Sequence, residues 1–226
     1  MTNQEIIEKT IDFVKHELQN AEGGHDWWHI ERVWKNAKKI AQSESVNLFI
    51  VELGALLHDI ADHKFNGGDE SIGVVKARRF LECLAVDEII IDHVEKIMMN
   101  ISFKGGNFSQ EFSSKELAVV QDADRLDAIG AIGIARAFNY GGFKGRELYN
   151  PAIEPEIGMT VEQYKKSNAP TINHFYEKLL LLKDRMNTNT GRKMAEQRHQ
   201  FMEQYLEQFF KEWECQKKTT QDNPQK

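Results

Sequence analysis

Apolar residues recur three and four positions apart along almost the whole chain, and that one periodicity admits few folds. Ile30, Val33, Trp34, Ala37 and Ile40 form one such stripe on one face of a helix. Thr2-Asn3-Gln4-Glu5 reads as a capping box that opens a first helix reaching about Gln19. Gly23-Gly24 then breaks the pattern. Further helices are predicted over about 26–43, 48–59, 70–84 and 87–101. Ser113-Ser114-Lys115-Glu116 reads as a second capping box, opening the helix that carries Asp124. Thr160-Val161-Glu162-Gln163 caps a short helix, and two long amphipathic helices close the chain at about 171–186 and 190–215. Phe175, Leu179, Leu182 and Met186 give the first of these an apolar stripe. No alternating segment of strand length occurs, and only 4 Pro and 15 Gly punctuate 226 residues. The expectation is an all-α bundle with long C-terminal helices, in a single domain over 1–215. A polar, frayed tail over 216–226 follows.

A hydrophobic fraction of 41% supports a sizeable core. No apolar run approaches the ~20 residues of a membrane span, and Met1-Thr2-Asn3-Gln4-Glu5 lacks the features of a secretion signal. Cys83 and Cys215 are too far apart in sequence to suggest a disulfide framework, so a reducing cytoplasm is the expected home. A net charge of -6 and a pI near 5.8 argue against a nucleic-acid polymer as partner. A small phosphate ester stays open, because a cation and a few local bases suffice to hold one.

The chemistry concentrates in His29, the adjacent pair His58-Asp59, and Asp124. Two imidazoles and two carboxylates suit one divalent cation, with Mn, Mg, Co, Ni and Fe all open. The run Glu52-Leu53-Gly54-Ala55-Leu56-Leu57 is apolar up to His58-Asp59, so the pair must face a partner or a metal. An aspartate at a helix C-terminus opposes the macrodipole, a cost that a bound cation offsets. Asp122, Asp124 and Asp127 crowd three carboxylates into six residues with Arg125 among them. Such a cluster needs neutralisation. Val119, Val120, Leu126, Ile129 and Ile132 around it suggest a buried helix. Asp127, one turn beyond Asp124, shares its face and is assigned to orienting a ligand or water.

His25 lies four residues before His29, so His25-Asp26-Trp27-Trp28-His29 superficially suggests the His-Glu-x-x-His motif of zinc proteases. Gly23-Gly24 places His25 at the helix start, and the base position holds the shorter aspartate, which disfavours that reading. His25 either caps the helix or contacts a phosphate near the site. Trp27 and Trp28 read as core. Phe103–Asn107 and Tyr140–Arg146 each combine glycine, a base and an aromatic. They are connectors or phosphate-cradling loops, and Lys144 and Arg146 are the candidate substrate contacts.

Three segments resemble the HD-domain superfamily of metal-dependent phosphohydrolases: His25-Asp26-Trp27-Trp28-His29-Ile30-Glu31-Arg32-Val33, His58-Asp59-Ile60-Ala61-Asp62, and Asp122-Ala123-Asp124-Arg125-Leu126-Asp127-Ala128-Ile129-Gly130. The likeness spans roughly residues 20–140, with a family-like helical tail to about 215. It is strongest toward a bacterial subgroup similar to nucleotide pyrophosphohydrolases. The resemblance implies His29, His58, Asp59 and Asp124 as metal ligands. It also implies Asp62 as the general base, at a position where many members carry glutamate. Lys64 follows, either neutralising a phosphoryl oxygen or solvated in a loop. The implied reaction converts a nucleoside triphosphate to monophosphate and pyrophosphate. A nucleoside monophosphate phosphatase and a nucleotide sensor without turnover are the alternatives.

Overall fold

A computed structural model of the chain describes residues 1–19, 26–60, 71–101, 112–160, 163 and 167–214. Nine α-helices and one 3₁₀ helix appear among these residues, and no strand: α1 (Asn3–Glu17), α2 (Trp27–Ala41), α3 (Leu48–Leu57), α4 (Ser71–Cys83), α5 (Glu88–Asn100), α6 (Lys115–Asp127), α7 (Gly130–Phe143), α8 (Thr171–Glu177), the 3₁₀ helix (Leu179–Arg185) and α9 (Asn189–Trp213). No helix among them is long and apolar enough to cross a membrane.

The core is built around α3. Eight of its ten residues are buried, from Phe49 to Leu57. A helix apolar on all sides must be covered all round, and α1, α2, α5 and α6 supply the cover. Helix starts follow local side-chain chemistry. Thr2 and Glu5 form the reciprocal capping box on α1. Asn47 accepts from the Phe49 and Ile50 amides at α3. Asp26 accepts from the His29 amide at 3.0 Å, so the cap of α2 also fixes the turn that carries His29.

The structure departs from the sequence reading at four places. Ser114, not Ser113, caps α6, and Glu116 turns away to accept from the Asn47 amide at 2.8 Å. Hence the expected box does not form. The predicted helix over 171–186 ends at Glu177, and a 3₁₀ helix carries the chain on from Leu179. The apolar stripe survives the break: Phe175, Leu179, Leu182 and Met186 are all buried, because a 3₁₀ turn aligns Leu179 and Leu182 on one face. Ile132 is exposed rather than buried. Helix α6 stops at Asp127 and α7 starts afresh at Gly130, whose φ is +76°, so the helical phase resets between them. Finally, Trp27 packs against the core while Trp28 is 61% exposed.

Thr160 and Gln163 exchange the two hydrogen bonds of a capping box. The Gly23-Gly24 break, the Phe103–Asn107 loop and the tail from 216 lie outside the described residues, as does Cys215.

Candidate metal centre

Helices α2, α3 and α6 meet with their ionisable side chains turned inward. His29 comes from the first turn of α2, and His58 is the C-terminal cap of α3. Asp59 follows in the turn beyond it. The helix end therefore faces the site squarely, which is how two adjacent side chains can reach one point. One ligand atom each from His29, His58 and Asp59 lies within 4.8 Å of the others, so these three could hold a metal ion. Asp124 brings Oδ1 to 3.6 Å from His29 Nε2 and 4.0 Å from His58 Nε2. Donors each about 2.1 Å from one ion stand roughly 3–4.2 Å apart, a range that includes both distances.

Hydrogen bonds behind the rings set the tautomers. His58 Nδ1 lies 2.9 Å from the Ala55 carbonyl, which can only accept, so Nδ1 carries the proton. Its Nε2 is buried with no hydrogen-bond partner among the described residues. A lone pair in that position is costly unless a cation meets it. His29 Nδ1 lies 2.8 Å from Asp127 Oδ2. Asp127 also accepts from Arg32 Nε at 2.6 Å, from Arg32 Nη2 at 3.0 Å and from Arg136 Nη1. Burial alone would raise the Asp127 carboxyl. The hydrogen bonds from His29 and Arg32, with the charge of Arg136, outweigh it and hold the group well below the usual carboxylate range. Burial pushes the His29 imidazole down from 6.5, against the opposing pull of Asp127 and Asp124. A buried imidazole that stays neutral is the form that ligates a metal.

The three crowded carboxylates have three different surroundings. Asp122 is fully buried and accepts from the Asn187 amide, the Thr188 amide and the Thr188 hydroxyl at 2.7–2.8 Å. It anchors the start of α9. Arg125 lies 3.6 Å from Asp122 and donates to the Arg185 carbonyl. Asp124 is 36% exposed and turned toward the histidines, while Asp127 stands behind His29.

Other expected site residues fall elsewhere. Lys144 lies over the Tyr140 and Phe143 rings. Arg146 lies over Tyr140 and donates to the Ser167 carbonyl at 2.7 Å. Both follow the far end of α7, whose last residue, Phe143, stands about 10 Å along the helix axis from Arg136 at 1.5 Å per residue. Their contacts among the described residues are with these rings and the Ser167 carbonyl. His25, Asp62 and Lys64 lie outside the described residues. Arg32 and Arg136 were not singled out as site residues. Arg32 sits one turn after His29, a spacing that could have flagged it. Arg136 lies past a helix break, where no periodic signal reaches.

Residues 27–129 match the HD domain family model. The chain is 39% identical over 206 residues to Bacillus subtilis YpgQ, covering 91% of this chain and 92% of that protein. The chain belongs to the HD-domain superfamily of metal-dependent phosphohydrolases. A crystal structure of an HD-superfamily hydrolase from Bacillus thuringiensis is similar with a TM-score of 0.76 and 49% identity, covering 95% of this chain and 100% of that one. The structure of B. subtilis YpgQ in complex with ADP has a TM-score of 0.73 at 37% identity, covering 94% and 97%. The ordered occurrence of His29, His58-Asp59 and Asp124 in an HD-domain chain is the signature that the sequence resemblance rested on.

Proposed function

We propose that this HD-domain hydrolase cleaves nucleoside triphosphates to monophosphate and pyrophosphate. The observation that carries the reading is the convergence of His29, His58 and Asp59 on one point, with the buried His58 Nε2 aimed at it. The ADP complex of YpgQ supports a nucleotide as the ligand class. His29, His58, Asp59 and Asp124 would hold the cation. A divalent ion there supplies Lewis acidity toward a phosphoryl oxygen and makes water more acidic. Asp62 is assigned to taking the proton from the attacking water. Lys64 balances charge on the phosphoryl group as it transfers. His25 is assigned to an outer or phosphate contact near the site. Lys144 and Arg146, beside the Tyr140 ring, are assigned to the distal part of the substrate.

The test is product analysis with dATP and AMP in the presence of Mn²⁺, Mg²⁺, Co²⁺, Ni²⁺ or Fe²⁺. Pyrophosphate from dATP is the expected result. Orthophosphate from AMP alone would make the chain a monophosphate phosphatase, and absence of turnover with every ion would make it a nucleotide sensor. Asp62→Asn should retain the ion and lose turnover on the order of 10²-fold or more, with little change in KM.

A further inference from the structure

Behind His29 stands a carboxylate held by more donors than neutrality requires. Asp127 is 1% exposed and takes Arg32 as a fork, Nε on Oδ1 and Nη2 on Oδ2. That pairing already neutralises it and fixes the carboxylate plane. Arg136 then adds a second cation on Oδ2 and reaches the Asp127 backbone carbonyl at 3.3 Å. Its Nη1 also lies only 3.2 Å from His29 Nδ1.

The crowding at Nδ1 has a chemical consequence. An arginine nitrogen only donates. Were Arg136 to donate into His29 Nδ1, the imidazole proton would sit on Nε2, and Nε2 could not bind a cation. With Oδ2 of Asp127 between the two nitrogens, both donate to the oxygen instead. The outcome depends on where Oδ2 sits, and an aspartate carboxylate by itself rotates broadly about its last torsion. Arg32 sets that torsion from α2, and Arg136 pins Oδ2 from α7.

We propose that Arg32 and Arg136 are positioning residues that hold the Asp127 carboxylate in one orientation, so that it fixes His29 in the tautomer whose Nε2 can ligate a metal. This inference rests on the reading of His29 as a ligand. Arg32 acts through fork geometry, and Arg136 through charge delivered to one oxygen. A lysine should therefore replace Arg136 and fail to replace Arg32.

The experiment uses full-length protein labelled with ¹⁵N-histidine, metal-free, at one pH near 8, for Arg32→Gln, Arg32→Lys, Arg136→Gln and Arg136→Lys beside wild type. ¹⁵N–¹H spectra report which His29 nitrogen carries the proton. Titration with Mn²⁺ alone reports affinity. Wild type is expected as the pure Nδ1–H tautomer. Both Gln variants and Arg32→Lys should show mixed tautomers and bind Mn²⁺ about tenfold more weakly, the low end of outer-contact effects. Arg136→Lys should regain the wild-type pattern. Wild-type tautomer and affinity in both Gln variants would overturn the proposal. An Nε2–H imidazole in wild type would overturn it even if every variant failed to fold. Wild type that binds no Mn²⁺, beside variants that scramble the tautomer, would count against the metal centre and for the arginine clamp.

Discussion

Helix α6 buries two carboxylates, Asp122 in its interior and Asp127 at its last residue, and they serve opposite purposes. Asp122 accepts its hydrogen bonds from neutral donors at the start of α9, two amides and a hydroxyl, with the Arg125 guanidinium further off at 3.6 Å. Asp127 meets two arginines and an imidazole. Both are 0–1% exposed. Burial therefore does not distinguish a structural aspartate from one that serves a site. The charge of the donors does. Neutral amides donate to a fixed anion that splices two elements, whereas an arginine pair with an imidazole couples the anion to a group that must present a lone pair elsewhere.

The largest effect expected from this contrast is on stability. Asp122→Ala strips a charged acceptor from three interior donors and should cost about 3–5 kcal/mol, which corresponds to roughly 6–20 °C in Tm at 2–4 °C per kcal/mol. Calorimetry should find that loss, while Mn²⁺ affinity per folded molecule stays near wild type. Equal loss of metal affinity would dissolve the distinction between the two carboxylates. Asp127→Asn is the mirror experiment. It should weaken Mn²⁺ binding by about 10–100-fold and lower Tm less than Asp122→Ala does. Arg32 and Arg136 remain 32% and 26% exposed, so they can rehydrate when the carboxylate is gone.

How far the sequence revealed this contrast depends on the distance between partners. His58-Asp59 is an adjacency, and Asp124 and Asp127 are one turn apart, so both were legible from spacing. Asp122 was read as part of one acidic cluster because its partners stand some 65 residues away. Nothing local marks Asn187 and Thr188 as its donors. Ile132 was expected in the core because the α6 period was extended through Ile129-Gly130, where the chain turns and the phase is lost. The end of the expected 171–186 helix at Glu177 has a related cause. Leu179 and Leu182 suit an α-helical or a 3₁₀ face equally well at a spacing of three. Apolar spacing still identified the all-α class, since that needs only the period and not its continuity.

A second pair of buried groups sharpens the comparison at smaller amplitude. His29 has carboxylate neighbours that oppose its burial. His174 has none among its main influences: burial, then the charges of Lys178 and Arg146, push it from 6.5 down to about 3. The folded-state value is depressed, so the unfolded chain takes up the proton first. Stability is then complete above pH 6.5 and declines as pH falls from there toward 3. At 1.36 kcal/mol per unit the loss by pH 5 is at most about 2 kcal/mol. Asp127 acts in a lower window, its contribution present above about 3.8 and lost on further acidification. His174→Gln should flatten the slope of Tm against pH from 6.5 down toward 3, most cleanly between 6.5 and 5, above the window in which Asp127 acts. An unaltered slope would assign the upper window to another group.

The long closing helix gives the chain an order of completion during synthesis. Arg198 on α9 donates to the Leu126 carbonyl and to Asn36 at 3.2 Å, bridging the end of α6 to α2. Every proposed ligand has been translated once residue 124 is made. The donors that secure α6 come later, at 187, 188 and 198. At roughly 5–20 residues per second, the stretch from 124 to 187–198 takes about 3–15 seconds. During that interval a nascent chain carries a full ligand set, with Asp124 on a helix whose buried Asp122 has not met its amides. A chain stalled between 130 and 180 should therefore bind Mn²⁺ weakly and be cut by protease within α6, and it should gain resistance only once α9 has left the ribosome. The last of the described helices is the one that locks the earlier-made chemistry in place.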